Sequence, residues 1–248
     1  MFPIRDHNPS GRVPYVTYAL ILINVAVFLA YAFQFENVRF INQVFDNYAL
    51  VPVEVAHGQA YHTFLTSMFM HGGWMHLIGN MLFLWIFGDN MEDAFGHVAF
   101  LAFYLVSGVA ADLAHIAADP GSSVPLVGAS GAIAGVMGGY LLLFPKARVD
   151  ILFIFVVFFR VFSLSAWIVL LVWFGLQVFN SLPMQGEEAG VAYLAHAGGF
   201  AAGILLSLPY WLRQGGTAFW ERTEGHPPHP EQKIPERISN IPVVYRRR

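Results

Sequence analysis

Cysteine is absent from these 248 residues, which excludes a disulfide framework and any cysteine-ligated metal site. Charge is nearly as scarce. Asp, Glu, Lys and Arg make up 12% of the chain, where a soluble domain carries about a quarter. With 13 Lys and Arg against 16 Asp and Glu, nothing resembles a basic nucleic-acid surface. No internal repeat is visible, nor paired Gly/Pro-broken segments in two halves, which argues against a transporter built on inverted repeats. What fills the chain instead is apolar, 56% hydrophobic with a mean hydropathy of +0.55. That balance places it in a membrane.

A helix needs about 20 apolar residues to cross a hydrocarbon core of ~30 Å. Candidates lie at approximately 14–34, 74–91, 97–117, 126–144, 163–182 and 190–211, which predicts an all-α, polytopic bundle of six transmembrane helices. The second is the weakest, because its wholly apolar part, Met81 to Phe87, is short and His76 and Asn80 stand at its entrance. Val13 to Phe35 exceeds the roughly 7–15 apolar residues of a secretory signal, so it reads as a retained first span. Ile151 to Phe159 is too short to span and is assigned to an interfacial or looped segment. With an inside N-terminus, Arg5, Arg12, Lys146, Arg148, Arg160 and every basic residue from Arg213 onward fall inside, and Arg39 alone falls outside. Both termini are therefore expected in the cytoplasm. The division is a cytoplasmic segment 1–13, a membrane domain 14–212, and a disordered cytoplasmic tail 213–248 rich in Gly and Pro. The connection from Phe35 to Gly73 is expected to contain short interfacial helix.

Ser130 sits in Gly128-Ala129-Ser130-Gly131-Ala132-Ile133-Ala134-Gly135, and His196 in Ala195-His196-Ala197-Gly198-Gly199. Taken alone, a serine in a glycine-rich membrane helix is a packing residue. Gly131-x-x-x-Gly135 and Gly199-x-x-x-Gly203 predict close contact of the fourth and sixth helices. Histidine within a span is costly and tends to face a cavity or a partner. Ser130 lies about one turn into the fourth helix and His196 about two turns into the sixth. Both helices run from outside to inside, so the two residues share a depth near the external face. A serine hydroxyl becomes a nucleophile when a base takes its proton, and histidine is the usual base. A structural Ser–His hydrogen bond fits the same residues.

His76 and Asn80, four apart, share one helix face in the same outer layer. An imidazole N–H and an amide are donors suited to a developing oxyanion. As a zinc site the pair is poor, for no carboxylate accompanies it in the His-Glu-x-x-His manner, so no metal and no cofactor are expected. Asp112 and Asp119 are placed in an external link and are not tied by spacing to His196. A dyad is expected rather than a triad.

HGGWMHLIGN over residues 71–80, GASGAIAG around Ser130 and AHAGG around His196 follow one another on the expected spans. From about residue 14 to 212 the chain resembles the rhomboid intramembrane serine proteases. That resemblance implies a six-helix rhomboid bundle, Ser130 as nucleophile and His196 as general base. It also implies an oxyanion site of His76, Asn80 and the Ser130 backbone N–H. The partners it implies are single-span membrane protein substrates in a lipid bilayer, with no nucleic acid, and the location is a bacterial cell membrane. Two departures stand out. Tyr61-His62 occupies the place where the family often has Trp-Arg, and Ala134 the place where some relatives stack an aromatic ring on the histidine. The competing reading is a catalytically silent rhomboid-like protein that binds membrane clients, although such proteins usually lack the serine or the histidine. A small channel would carry polar residues through the full membrane depth, whereas here they cluster in the outer half.

Overall fold

Uncharged from end to end, Tyr15–Ala32 forms the first long helix, α1. The computed structural model describes residues 2–8, 10–155, 158–181 and 187–229. After α1 the long connection folds into α2 (Val38–Tyr48), α3 (Pro52–Ala56), α4 (Thr63–Thr66) and a 3-10 turn. Asn37 caps α2 by accepting the Phe40 N–H. Phe40, Ile41, Val44 and Phe45 then present one apolar face to Phe28 and Tyr31 of α1.

Two long helices follow, α5 (Trp74–Phe95) and α6 (His97–Ala118). One residue reverses the chain between them: Gly96, at φ +77°, a conformation that L side chains rarely adopt. Next come α7 (Ser130–Leu143), α8 (Ala166–Asn180), α9 (Glu187–Arg213) and α10 (Thr217–Thr223). The long helices α1 and α5 to α9 fall on the expected spans. Of the described helices, α1 and α6 alone are both long and apolar enough to cross a membrane by length and composition. In α5 the acidic Asp89, Glu92 and Asp93 lie in its last turns.

Helix α7 is the hub, buried on all sides from Ala132 to Tyr140. Its glycines make that possible. A Cβ on Gly199 would strike the Gly131 carbonyl, one on Gly203 the Gly135 carbonyl, and one on Gly135 the side chain of Ser107 on α6. Backbones of α7 and α9 therefore touch directly, the close approach that small residues permit.

The all-helical expectation needs correction. The fold is mostly helical but carries a three-stranded antiparallel sheet, β1 (Phe2–Asp6), β2 (Arg148–Phe155) and β3 (Phe158–Ser165), in that order. The run 151–159, expected as an interfacial or looped segment, lies largely in the β2–β3 hairpin. Its β-branched and aromatic residues favour strand, and Val149 and Ile151 bury one face. Asp150, 1% exposed, is held by Arg5 Nε at 2.6 Å, His7 Nε2 at 2.7 Å and Ser163 Oγ at 2.5 Å, which ties the N-terminal strand into the sheet. Burial opposes its charge, yet these hydrogen bonds outweigh burial and lower its pKa.

Other boundaries move too. Residues 163–165 belong to β3, and α7 begins at Ser130 because Leu126 is taken up in a bridge to Leu50. The tail is ordered through its first part: α10 buries Phe219, Trp220 Nε1 donates to Leu142 O at 2.9 Å, and His229 pairs with Asp93. Residues 230–248, with the terminal arginines, lie outside the described residues.

Candidate active site

Ser130 opens α7, rather than lying a turn inside it. Gly128, two residues earlier, has φ +128° and donates its N–H to Ser67 O at 2.9 Å, which sets the angle at which the helix starts. A first-turn residue has a backbone N–H without an intrahelical acceptor. The Ser130 N–H is such a group, and its Oγ points across to α9.

There it meets His196. Nε2 of His196 lies 2.8 Å from Ser130 Oγ, a good hydrogen-bond length. On the ring's other side, Nδ1 lies 2.9 Å from Gln177 Oε1 of α8. Trp173 and Tyr193 flank the ring at centroid distances of 6.0 and 6.3 Å. With Ala134 small, these residues of α8 and α9 fence the imidazole.

His76 and Asn80 come in from the first two turns of α5. The Gly72 N–H donates to His76 Nδ1 at 3.4 Å, which leaves the ring proton on Nε2. That nitrogen reaches so near Gly128 that a Cβ there would stand 2.7 Å from it, and the same Cβ position is 3.5 Å from Ser130 Oγ. Glycine at 128 is thus required both for its φ and for the approach of His76. Asn80 is 8% exposed, and its Nδ2 is buried without a hydrogen-bond partner among the described residues. Such a vacancy costs about 1–3 kcal/mol. Both side chains, with Ser130, Gln177 and His196, line a cavity of about 310 Å³.

The segment leading into α5 is fixed from α1. Tyr31 Oη donates to His71 O at 2.9 Å and accepts from His71 N at 2.6 Å. His71 is fully buried, its ring 5.1 Å from that of His76. Burial first, and then the neighbouring His76, pull its pKa down to about 4, so it stays neutral.

Ser130, His196, His76 and Asn80 are therefore brought to one cavity, and Gly131, Gly135, Gly199 and Gly203 to the α7–α9 contact behind it. A hydroxyl bonded to an imidazole, beside donors with no acceptor, can carry out nucleophilic acyl transfer. Asp112 differs from its expected place. It lies within α6, 6% exposed, instead of in an external link. Gln177 was missed altogether. Its signal was the first side-chain amide in an apolar helix, seven residues after Leu170 and four after Trp173, hence on the face that packs inward.

A family model described as the rhomboid domain matches residues 57–213, which include every residue of this cavity. The chain is 31% identical over 194 residues to the mitochondrial Rhomboid protein 1 of Saccharomyces cerevisiae, covering 77% of this chain and 51% of that protein. It is 31% identical over 133 residues to the chloroplastic Rhomboid-like protein 11 of Arabidopsis thaliana, covering 53% and 43%. To Rhomboid protease GluP of Bacillus subtilis it is 31% identical over 147 residues, covering 58% and 26%. The chain thus spans about half the length, or less, of these curated relatives. With well over half of its residues inside the family match, and the motifs at 71–80, 128–135 and 195–199 converging on one cavity, the chain belongs to the rhomboid family.

Proposed function

We propose that this protein is an intramembrane serine endopeptidase that cuts single-span membrane proteins in or near their membrane segments. The observation that carries this reading is the 2.8 Å contact of His196 Nε2 with Ser130 Oγ, at the wall of a cavity that also holds the unpartnered Nδ2 of Asn80. Ser130 Oγ attacks the scissile carbonyl as its proton passes to His196 Nε2. The oxyanion takes hydrogen bonds from His76 Nε2–H, Asn80 Nδ2 and the Ser130 N–H. His196 then protonates the leaving amine, and the acyl-enzyme remains. Water enters, gives a proton to His196 and attacks the ester; His196 returns that proton to Ser130 Oγ as the ester bond breaks, which releases the acid and restores the serine.

Six membrane crossings by α1 and α5 to α9 are part of the same proposal, with both termini in the cytoplasm of a bacterial cell. The Lys and Arg distribution supports the orientation, and fractionation of the source cells tests the compartment. Helix α7 has 14 residues, a length of about 21 Å against a core of ~30 Å. With its inner end at the cytoplasmic face, Ser130 stops short of the external surface. Helical substrates shield their carbonyls in lipid, so the cavity acts on segments that unwind beside it.

Reconstitution in liposomes with a panel of tagged single-span proteins tests the reading. Wild type should cleave, and a fluorophosphonate should label Ser130. A wild-type chain that neither cleaves nor labels is a client-binding protein, and the proposal fails.

A further inference from the structure

Resting on the peptidase reading above, we propose that Gln177 is the positioning residue of the Ser130–His196 pair: its side-chain oxygen holds the proton of His196 on Nδ1 and so keeps Nε2 free to take the serine proton.

The argument begins with what Gln177 is doing on α8. Up to that point the helix has no side-chain amide, hydroxyl or charge. Leu170 and Gln177 are its buried residues beyond the first, on one stripe that faces the bundle. A primary amide turned inward from an apolar helix is unfavourable unless its oxygen and its NH2 both find partners. Both do. Nε2 donates to Trp173 O at 3.4 Å, and Oε1 lies 2.9 Å from His196 Nδ1.

Those two contacts fix each other. A backbone carbonyl can only accept, so the NH2 end of the amide faces Trp173 and the oxygen faces the ring. An amide oxygen can also only accept, so Nδ1 must carry the hydrogen. The lone pair then falls on Nε2, 2.8 Å from Ser130 Oγ. Were the amide turned over, its NH2 would meet Nδ1, the proton would belong on Nε2, and the base would be lost. After proton transfer both ring nitrogens donate, and the same oxygen still accepts.

A neutral group suits this place. A lone carboxylate buried here would carry a large desolvation cost, whereas the amide supplies direction without charge. It also fills a gap. Ala134 offers no ring to stack on the imidazole, and Trp173 and Tyr193 meet His196 at tilts of 38° and 79° without a hydrogen bond to it. Flanking rings limit where the imidazole sits, and the Gln177 contact sets which nitrogen faces the serine.

The test compares the full chain with Gln177→Met and Gln177→Glu in liposomes. Methionine keeps the length and apolar volume but is a weak acceptor. Where a serine protease loses its aspartate, the wrong tautomer lowers kcat by about 10⁴, and a neutral orienter should be worth less, about 10- to 100-fold. Gln177→Met should therefore lose kcat by that factor with KM and thermal midpoint unchanged, and its fluorophosphonate labelling should slow in parallel. Gln177→Glu, which the buried site holds as the neutral acid, keeps a carbonyl acceptor for Nδ1 and a hydroxyl donor for Trp173 O, and should restore most of the rate. A methionine variant with wild-type kcat overturns the proposal, as does a glutamate variant as slow as the methionine one. Independently of any variant's folding, nitrogen-15 spectra of the wild-type imidazole, assigned by loss of the signal in His196→Gln, should show the proton on Nδ1; finding it on Nε2 also overturns the proposal. If the wild type itself fails to label, the peptidase reading falls instead, which keeps the two failures apart.

Discussion

Two polar clusters sit at opposite ends of this bundle, and their residues are similar in kind. At the end where α5 turns into α6, Glu92 is 1% exposed and accepts from Val16 N at 2.9 Å, Thr17 N at 2.7 Å, Thr17 Oγ1 at 2.7 Å and His97 Nδ1 at 2.5 Å. It closes the first turn of α1 from another helix, where a carboxylate also meets the positive end of the helix dipole. Around Ser130 the pattern is the reverse. Asn80 Nδ2 has no acceptor, and the cluster opens on a cavity. Glu92, answered by four donors, fastens α1 to α5, while the Asn80 donor beside Ser130 has no acceptor among the described residues. Hydrogen-bond bookkeeping is what tells the two apart in kind.

Breaking the comparison at its sharpest point gives the largest effect. Ser130→Ala removes one oxygen at a helix start and should lower cleavage of a membrane-spanning reporter by at least about 10⁴-fold, with an unchanged thermal midpoint. Asn80→Ala and His76→Ala come next. Each should slow single-turnover cleavage by about 10²–10³-fold, equivalent to about 2.7–4 kcal/mol in the transition state. Asn80→Ala should leave stability equal or slightly raised, because it deletes a donor that has no partner. The opposite signature is expected at the other end. Glu92→Ala leaves two α1 backbone N–H groups and a hydroxyl unanswered and should cost about 3 kcal/mol of stability. Fluorophosphonate labelling per folded molecule should not change. Equal loss of rate and of stability in all these variants would erase the distinction.

How much of this was legible in the chain depends on what each feature needs. The Ser130–His196 meeting could be read because both stand near the starts of helices that run the same way, and because glycines four apart let α7 and α9 touch. That His76 and Asn80 share one face of α5 beside Ser130 could be read from their i, i+4 spacing. The sheet was lost because Ile151 to Phe159 was judged on its length as a span and not on its β-branched and aromatic content. Its partner strand, Phe2–Asp6, lies some 145 residues away, as the Arg5–Asp150 contact shows, and no local pattern announces such a pairing. Helix α10 was hidden by Gly215, Gly216 and the prolines around it, although Phe219 and Trp220 are poor residues for a solvated tail. Gln177 belongs to no motif, and only its turn toward the bundle gave it a role. Local periodicity and spacing reach a helix, its face and a glycine-lined contact with a neighbour, but not a strand pairing across some 145 residues.

The last effect lies at the Glu92 end of the bundle and appears through pH. Asp6 accepts from Asn90 Nδ2 at 2.7 Å and from Tyr140 Oη at 3.3 Å. Burial, and then the charge of Asp89, raise its pKa to about 8 in spite of those bonds. The unfolded chain releases the same proton near the ordinary 3.8. Between these values the folded state binds more protons than the unfolded state, so stability falls as pH rises through the window and levels off above about 8. Asparagine at this position accepts the same two hydrogen bonds and never ionises. Asp6→Asn should therefore melt above the wild type at pH 8, by a margin that shrinks steadily toward pH 4, with cleavage unaffected at either pH once both proteins are folded. Thermal scans across that range, on protein in one detergent, measure the margin directly. A margin that grows toward low pH would mean that Asp6 is ionised in the fold and holds β1 as a charge, which would make it a counterpart of Asp150 and not its neutral neighbour.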